Sequence, residues 1–344
     1  MPAVFVTGGS GFLGSLLIQR LLNDGHNVTN IDLVPSDITH PSLKTVVGDI
    51  RNRALLDDLL QRTDHCVYHC AALLAHGGIK AKELWSSNVE GTRTLAAAAA
   101  DAGVRQVVYL SSNCLWGTGF SRPVREDDPP APVEIYGASK WEGEKILASF
   151  ADRFATVSIR CPTIMDEGRL GLLAILFEFI AEGRRIWVVG GGDNRYQFIY
   201  AHDLIDAMFA ASRLNKSQVF GIGSDHVPSM RETYDYVIAK SGSRSRIGSL
   251  PKAPTVTAMK VAHALRISPL GPYHYRMIAA DFMFDTARIK AELNWQPTLS
   301  NHEMLLRAYR YYQNNRVEIY SRDLVSDHRK PADMGIIRLL KWFS

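Results

Sequence analysis

Tyr136 and Lys140, in the segment Tyr-Gly-Ala-Ser-Lys, are spaced so that their side chains can do acid–base chemistry together. Residues four apart lie on one face of a helix, with Cβ atoms about 5–6 Å apart. A phenol, whose unperturbed pKa is about 10, acts as a base near neutral pH where a cation favours the phenolate. Lys140 supplies that cation. The pair predicts proton transfer between Tyr136 and a substrate oxygen, although the same spacing occurs by chance in many helices.

Ser112 is a third candidate, because it follows the apolar residues 107–110 at the end of a predicted strand. In an open α/β sheet the carboxyl ends of the strands face the ligand site. A hydroxyl there can hydrogen-bond the oxygen that gains or loses a proton. Ser111 and Ser112 can also simply end the strand, so other motifs must decide between the two interpretations.

Residues 7–14, with the sequence Thr-Gly-Gly-Ser-Gly-Phe-Leu-Gly, can bind an anion through their backbone. They follow a short apolar run, and apolar residues then recur at helical spacing. A strand that passes through a glycine turn into a helix presents free N–H groups and the positive end of the helix dipole. Gly8, Gly11 and Gly14 allow a tight turn and the close approach of a pyrophosphate. The pattern alone is weak evidence, because many glycine turns are purely structural.

Asp32 tests the glycine loop, because it lies about twenty residues beyond it, at the end of the second predicted strand. Its carboxylate can accept hydrogen bonds from the adenosine ribose hydroxyls, and it would repel a 2′-phosphate. The next Lys or Arg in the sequence is Lys44. The loop and Asp32 together predict a dinucleotide site that prefers NAD to NADP.

Strands and helices that alternate along the first half of the chain would position these residues. The predicted strands are residues 4–6, 28–33, 45–50, 66–71, 107–112 and 155–160, and the predicted helices include 54–60, 83–102 and 136–150. This alternation predicts an α/β fold with a parallel sheet and right-handed crossovers. Beyond residue 160 the regularity loosens.

We expect the chain to have three parts. Residues 1–160 form a dinucleotide-binding domain to which parts of 190–225 return, residues 161–316 form mainly a smaller mixed α/β substrate-binding lobe, and residues 317–344 form a tail. The tail ends in a basic amphipathic segment, residues 334–343. Such a segment can lie on a membrane, but we expect it to pack on its own fold or on a partner.

Composition excludes several classes of protein. Of 344 residues 46% are hydrophobic and 22% are charged, and the net charge of +4 comes without a dense Lys/Arg block, so nucleic acid is not an expected partner. The four cysteines lack the spacing of a metal site, which predicts free thiols and no bound metal. Neither a leader nor a transmembrane run is visible, and we expect a cytoplasmic protein.

The order of these motifs makes the chain similar to the extended short-chain dehydrogenase/reductase family, which includes nucleotide-sugar epimerases and dehydratases. The resemblance is carried by residues 7–14, 48–50, 69–72, 88–92, 110–117, 136–140, 160–163, 197–204 and 293–297. It covers residues 3–312 and implies a Rossmann-type doubly wound parallel sheet, NAD as cofactor and a small-molecule substrate. It also implies a homodimer formed through a four-helix contact.

The resemblance implies a role for individual residues. It makes Ser112, Tyr136 and Lys140 the catalytic residues. The cofactor-binding residues would be Gly8, Gly11, Phe12, Leu13, Gly14, Asp32, Asp49, Ile50, Ala71, Ala72, Asn88, Ser111, Tyr136, Lys140, Pro162 and Thr163. The substrate-binding residues would be Asn113, Trp116, Arg195 and Gln197. Trp116 stands where the family usually has Tyr.

The resemblance favours an epimerase that acts on a nucleotide-diphosphate sugar. Arg195 follows the glycine-rich residues 190–192 and offers paired donors to a phosphate. Dehydratases of the family carry an Asp-Glu pair after the catalytic hydroxyl residue, where this chain has Asn113 and Cys114. Neither can supply the acid and the base of a dehydration, so we reject that reaction.

Two alternatives stay open. The markedly apolar residues 161–185 suit a dehydrogenase or reductase of an apolar secondary alcohol or ketone, similar to hydroxysteroid dehydrogenases, although a core helix explains most of that composition. The third possibility is a non-catalytic NAD-binding protein. The presence of all three predicted catalytic residues argues against it.

Overall fold

A computed structural model provides the structure of the chain. It describes residues 3–61, 66–74, 79–117, 120–171, 173–265 and 278–321. The strands are β1 (Ala3–Thr7), β2 (Asn27–Asp32), β3 (Leu43–Val47), β4 (Cys66–His69), β5 (Gln106–Ser112), β6 (Ala155–Cys161), β7 (Thr163–Met165), β8 (Ile186–Val189), β9 (Phe198–Tyr200), β10 (Gln218–Gly221) and β11 (Ile247–Leu250).

The helices alternate with these strands through most of the chain. They are α1 (Phe12–Asn23), α2 (Arg53–Leu60), α3 (Ala81–Trp85), α4 (Gly91–Asp101), α5 (Ile135–Ala148), α6 (Leu173–Ala181), α7 (Ala201–Ala211), α8 (Met230–Ser241), α9 (Lys252–Ala264), α10 (Ala287–Leu293) and α11 (Asn301–Ser321). A π-helical turn (Ser86–Glu90) joins α3 to α4.

Seven strands form one sheet in the order β3-β2-β1-β4-β5-β6-β10. All six neighbouring pairs are parallel. Strand order reverses between β1 and β4, which is where an open α/β sheet leaves a crevice for a ligand. The predicted Rossmann-type doubly wound sheet is therefore confirmed.

Apolar side chains cover both faces of the sheet. One buried cluster joins α1 and α7 to the sheet, and Leu17 and Met208 are fully enclosed there. The second joins α2, α4 and α5 to the opposite face around Leu56 and Leu95. Each fully buried side chain of this size contributes about 1.5–3 kcal/mol. A third cluster, built around α6, α8 and α11, packs beyond the carboxyl end of β7.

The structure differs from the predicted elements where the sequence signal is local or weak. The helix predicted over 83–102 is interrupted by the π-helical turn, because one turn closes over five residues instead of four. Strands β7 and β11 are too short, at three and four residues, to show a periodic pattern. Residues 317–321 continue α11, and the rest of the predicted tail lies outside the described residues.

None of the described helices is long and apolar enough to cross a bilayer. The amphipathic segment 334–343 lies outside the described residues.

A buried ion pair fastens α5 to the sheet. The Arg160 guanidinium of β6 binds the Glu144 carboxylate of α5 through Nε to Oε1 at 3.0 Å and Nη2 to Oε2 at 2.7 Å, and both side chains are about 5% exposed or less. The Ser111 hydroxyl of β5 donates to the same carboxylate at 2.5 Å. Removal of one partner would leave a buried charge uncompensated. The pair therefore fixes the helix that carries Tyr136 and Lys140.

We expect Glu144→Ala to lower the free energy of unfolding by about 3–5 kcal/mol, because Arg160 would keep its charge without a partner. Urea unfolding followed by circular dichroism measures the loss. Lys145→Ala, on the next residue of α5 and in an exposed ion pair with Glu142, should cost less than about 1 kcal/mol. Equal, small losses in the two variants would contradict a stabilising role for the buried pair.

Candidate active site

The glycine loop brings the ends of β1, β4 and α1 into close contact. Gly8 has φ +75°, and a Cβ atom there would lie 2.6 Å from the backbone nitrogen of Ala71. A Cβ atom at Gly14 would lie 2.1 Å from the Gly8 carbonyl oxygen. A side chain at either position would push the loop away from the sheet. These two glycines are therefore required by close approach and, at Gly8, by backbone conformation.

The start of α1 is open to an anion. Gly11 precedes the helix, and among the described residues no side chain caps it. The first turn also holds no acidic residue. Free N–H groups and the positive end of a twelve-residue helix therefore face the crevice. Together with the glycines, this cradle fits the pyrophosphate of a dinucleotide.

Asp32 lies beside this loop, as its spacing predicts. Its carboxylate accepts hydrogen bonds from the backbone N–H of Ser10 at 2.9 Å and of Val34 at 3.2 Å. Burial raises the pKa of Asp32, and the backbone donors oppose that shift. The carboxylate thus stands at the end of β2, next to the start of α1, where an adenosine ribose would lie.

A chain of hydrogen bonds runs from the glycine loop through His69. The Ala71 N–H donates to Thr7 Oγ1 at 3.3 Å, and Thr7 Oγ1 lies 2.7 Å from His69 Nδ1. His69 Nε2 lies 2.9 Å from Thr92 Oγ1, whose hydroxyl donates to the Asn88 carbonyl at 2.6 Å. Because the Thr92 hydroxyl donates its proton to that carbonyl, Thr92 Oγ1 can only accept from His69. The ring proton of His69 is therefore on Nε2. Burial lowers the pKa of His69 to about 3, which keeps the ring neutral.

Asn88, in the π-helical turn, extends the chain to the catalytic helix. Its Nδ2 donates to Ser139 Oγ at 3.0 Å, and the Ser139 hydroxyl donates to the Tyr136 carbonyl at 2.7 Å. The same amide holds Leu73, accepting from its N–H at 2.7 Å and donating to its carbonyl at 3.0 Å. Asn88 thereby fixes the segment after β4 against the first turn of α5. Its predicted contact with the cofactor stays a prediction.

Ser112 and Tyr136 meet, because α5 packs closely on the residues after β5. A Cβ atom at Gly137 would lie 2.1 Å from the Cys114 carbonyl oxygen, so a side chain there would force the helix away. Ser112 lies close enough to Tyr136 for its hydroxyl to lower the pKa of that phenol. The Cys114 N–H also donates to Ser112 Oγ at 3.1 Å. The sequence prediction that these two hydroxyls face one reacting atom is consistent with this contact.

Lys140 is buried one turn further along α5. The side chain is 2% exposed, and Nζ lies 4.1 Å from the centroid of the Tyr109 ring. Burial lowers the pKa of Lys140 to about 8. Burial also raises the pKa of Tyr136, which the charge of Arg169 and the nearby Ser112 hydroxyl oppose. Burial thus disfavours the charged form of both side chains.

Arg169 is a site residue that the sequence did not reveal. Its guanidinium carbon lies 5.9 Å from the centroid of the Phe12 ring, in the first turn of α1. Its charge also favours the phenolate of Tyr136. Arg169 therefore lies where it can act on both the anion cradle and the reactive phenol. It follows Gly168 in a segment without a motif, so its spacing gave no signal.

Asn113 reaches the site through Tyr196, a residue that the sequence interpretation also missed. Asn113 Nδ2 donates to the Tyr196 hydroxyl at 2.6 Å, and Thr163 Oγ1 lies 3.4 Å from the same hydroxyl. The Ser112 hydroxyl lies 3.5 Å from Asn113 Oδ1. Asn113 and Thr163 therefore contact the phenol of Tyr196, and Ser112 is linked to it through Asn113.

The other three predicted substrate residues have their polar groups bound to backbone. The indole N–H of Trp116, 3% exposed, donates to the Pro129 carbonyl at 3.1 Å. Gln197 donates from Nε2 to the Ser224 carbonyl at 2.7 Å and accepts from the Phe284 N–H at 2.8 Å. Arg195 is exposed and donates to the carbonyl of residue 227 at 3.2 Å. Contact of these residues with substrate stays a prediction.

The remaining predicted cofactor residues lie around the crevice. Phe12, Leu13 and Ile50 are buried, Ala71, Ala72 and Thr163 are partly buried, and Pro162 is buried. Asp49 is held by Arg51, which donates from Nε to its two oxygens at 3.0 Å each and lowers its pKa. The Ser111 hydroxyl donates to the Glu144 carboxylate, so a contact of Ser111 with a cofactor would have to use its backbone.

Metal ligation has no visible place in this arrangement. In the part of the chain that the structure describes, no group of three or more His, Cys, Asp or Glu side chains could hold a metal ion. Cys66, Cys70, Cys114 and Cys161 are free thiols. Burial raises the pKa of Cys161 to about 12, which keeps that thiol protonated and unreactive at neutral pH.

Comparison with known proteins places the chain among related enzymes. The model of the NAD dependent epimerase/dehydratase family matches residues 4–223. An uncharacterized protein of Sinorhizobium fredii, y4nG, is 36% identical over 99% of this chain and 86% of its own length. A UDP-glucose 4-epimerase of Mycolicibacterium smegmatis is 28% identical over 90% and 98%. A 3-beta-hydroxysteroid dehydrogenase of Mycolicibacterium neoaurum is 27% identical over 90% and 91%.

Solved structures share the fold. A UDP-glucose 4-epimerase of Thermotoga maritima, solved with UDP-glucose, superposes with a TM-score of 0.75 at 20% identity, covering 91% of this chain and 99% of that one. The Bordetella bronchiseptica enzyme WbmG, solved in complex with NAD, superposes with a TM-score of 0.74 at 21% identity, covering 91% and 94%. At these identities the likeness shows the architecture.

We expect Asp32→Ala to weaken NAD binding about tenfold to a hundredfold, because hydrogen bonds to a charged group contribute about 1.5–3 kcal/mol. Discrimination against NADP should shrink at the same time, since the repulsion of the 2′-phosphate is lost. Isothermal titration calorimetry with both cofactors measures the two effects. Asp58→Ala, an exposed carboxylate on α2, is the matched control. Unchanged affinity for both cofactors would refute the ribose contact.

The lowered pKa of Lys140 predicts a pH dependence of stability. Between about 8 and its ordinary value of 10.5, the unfolded chain holds a proton that the folded chain releases, so stability should rise with pH over that window. Urea unfolding without cofactor measures the free energy of unfolding at each pH. The value for the wild type minus the value for Lys140→Met should rise across this window and stay constant below it. A difference independent of pH would contradict the burial of the charge.

Proposed function

The chain belongs to the NAD-dependent epimerase/dehydratase family, and within that family we propose that it is an epimerase of a nucleotide-diphosphate sugar. It is an NAD-dependent enzyme of the extended short-chain dehydrogenase/reductase type. The observation that carries the proposal is the proximity of Ser112 to Tyr136, one turn from the buried Lys140, on a helix tied to the anion cradle by continuous hydrogen bonds.

Each of the three residues has a distinct task in the proposed reaction. Bound NAD supplies the acceptor for a hydride from the carbinol carbon of the substrate and, in an epimerase, the hydride returned to the opposite face. Tyr136 takes the hydroxyl proton and later gives it back. Ser112 hydrogen-bonds the same oxygen and fixes its position. The charge of Arg169 favours the phenolate that burial disfavours. We assign the same task to Lys140, one turn further along α5.

The choice of a nucleotide sugar is supported by the named relatives. UDP-glucose 4-epimerases occur among the relatives that match nearly the whole chain and among the solved structures with the same fold. Tyr196 and Asn113 form a polar pair next to Ser112, which suits a sugar hydroxyl better than a hydrocarbon. Arg195 remains the proposed partner for a phosphate. A homodimer is part of the proposal as well.

A dehydrogenase of an apolar alcohol is the second candidate, because the 3-beta-hydroxysteroid dehydrogenase matches as much of the chain. The apolar composition of 161–185 gives it less support than the sequence alone suggested. Most of α6 faces the core, where Phe177 and Ile180 are at most 1% exposed. Packing therefore explains the apolar residues of α6, and they need not line a substrate pocket.

Dehydration is disfavoured by the residues after Ser112. Asn113 cannot gain or lose a proton near neutral pH, and its amide donates to Tyr196. Cys114 next to it lies between the Ser112 hydroxyl and α5. An elimination of water needs a separate acid and base, which these two side chains do not provide. A non-catalytic protein is disfavoured by the contact between Ser112 and Tyr136.

We expect Tyr136→Phe to lower turnover by at least about a hundredfold, since acid–base groups contribute about 10²–10⁴-fold. NAD affinity should persist, because the ring that packs in the site is kept. Turnover and calorimetric NAD affinity are measured on the same preparation, with Tyr236→Phe on α8 as the control. Wild-type turnover of Tyr136→Phe on the true substrate would refute its catalytic role.

A panel of UDP-, GDP- and dTDP-sugars followed by proton NMR decides between the two candidate functions. An epimerase converts one sugar to its stereoisomer with no added cofactor. A dehydrogenase needs stoichiometric NAD and raises the absorbance of NADH. Inactivity on every sugar, together with NADH formation from apolar secondary alcohols, would replace the proposed function by the second candidate.

A further inference from the structure

Helix α9 is an outlier among the helices, because none of its thirteen residues is buried. Pro254, Ala258, Val261 and Leu265 follow one another at helical spacing, and all four are exposed. Val261 is 54% exposed and Leu265, which ends the helix, is 64% exposed. Among the described residues nothing buries this apolar stripe, and an exposed stripe of this kind is a candidate contact surface.

The sequence segment that contains the helix carries charge of one sign. The segment 236–280 contains no Asp or Glu, although the whole chain has 35 acidic and 39 basic residues. Its Lys and Arg residues are Lys240, Arg244, Arg246, Lys252, Lys260, Arg266 and Arg276. Lys252 and Lys260 of α9 are exposed, and among the described residues no carboxylate pairs with them.

The position of α9 connects it to the substrate side of the fold. The helix follows β11, which pairs with β8. At its start, Lys252 Cβ lies 4.0 Å from where a Cβ atom of Gly190 would be. Gly190 opens the turn that leads to Tyr196. A partner bound along α9 would therefore lie on the lobe that carries the substrate residues.

We propose that α9 binds the surface of an anionic membrane, with the stripe Pro254, Ala258, Val261 and Leu265 in the headgroup region and Lys252 and Lys260 on lipid phosphates. The helix has an exposed apolar stripe, basic residues and no acidic residue, which is a composition found in interfacial helices. Each Lys near an anionic leaflet adds to the attraction, which salt screens. This contact does not depend on the proposed epimerase activity.

A second copy of the chain is the main rival occupant. A two-fold symmetric contact would bring the same residues of both copies together. With no acidic residue between 236 and 280, both copies would bring basic residues and no acidic residue from this segment to such a contact. Like charges at short range are repulsive, so an anionic lipid surface complements this helix better than the helix complements itself.

The test uses the full chain and sedimentation with vesicles, either of phosphatidylcholine alone or mixed with phosphatidylglycerol. The wild type should bind the anionic vesicles at least tenfold more strongly than the neutral ones, and high salt should release it. Lys252→Glu/Lys260→Glu and, separately, Val261→Asn/Leu265→Asn should each weaken anionic binding at least tenfold. Lys44→Glu/Lys82→Glu, which changes the charge equally on exposed residues of β3 and α3, should bind like the wild type.

Three results would overturn the proposal. The wild type could fail to prefer anionic vesicles. Both α9 variants could bind as the wild type does, which would place the contact elsewhere, for instance in residues 322–344. The Val261→Asn/Leu265→Asn variant could dissociate an oligomer in sedimentation velocity while it still binds vesicles, which would make the stripe a contact between copies. Circular dichroism and NAD affinity, unchanged in every variant, confirm that the fold is intact.

Discussion

The hydrogen-bond chain that starts at Thr7 and ends at the Tyr136 carbonyl is the constraint on which the site depends. It connects the end of β1, the end of β4, the π-helical turn and α5 without a gap. The chain requires a neutral His69, because a proton on Nδ1 would remove the acceptor for Thr7. Complete burial lowers the pKa of His69 to about 3, so the chain is intact throughout the physiological pH range. The anion cradle and the catalytic helix therefore have a fixed relation.

Burial sets the electrostatics of the same site. It disfavours both the phenolate of Tyr136 and the ammonium of Lys140, and it raises the pKa of the first and lowers that of the second. The aromatic face of Tyr109 stabilises the buried ammonium, and Arg169 adds positive charge near the phenol. The buried guanidinium of Arg160 is paired with the Glu144 carboxylate. Charges held in place before the reaction are what an enzyme needs to stabilise a developing alkoxide.

The parts of the site that were predictable from the sequence depend on local spacing. Gly8, Gly14 and Asp32 have their positions because of the turn and the strand to which they belong, and Tyr136 and Lys140 because of one helix. Glu144 and Arg160 lie on different elements, and they meet because of the order of the strands in the sheet. The spacing of residues along the sequence does not reveal that order. Gln197 illustrates the opposite case, since a residue in a matching motif binds backbone groups on two other segments.

Reversible transfer of one hydride at a site that keeps its cofactor is the central claim, and isotopic labelling tests it most directly. The enzyme, with no added cofactor, is given the nucleotide sugar that it converts, carrying deuterium on the carbinol carbon, and the product is analysed by mass spectrometry and NMR. We predict that the stereoisomer forms with the deuterium retained on the same carbon. Loss of deuterium to water, or a ketone product with stoichiometric deuterated NADH, would contradict the account.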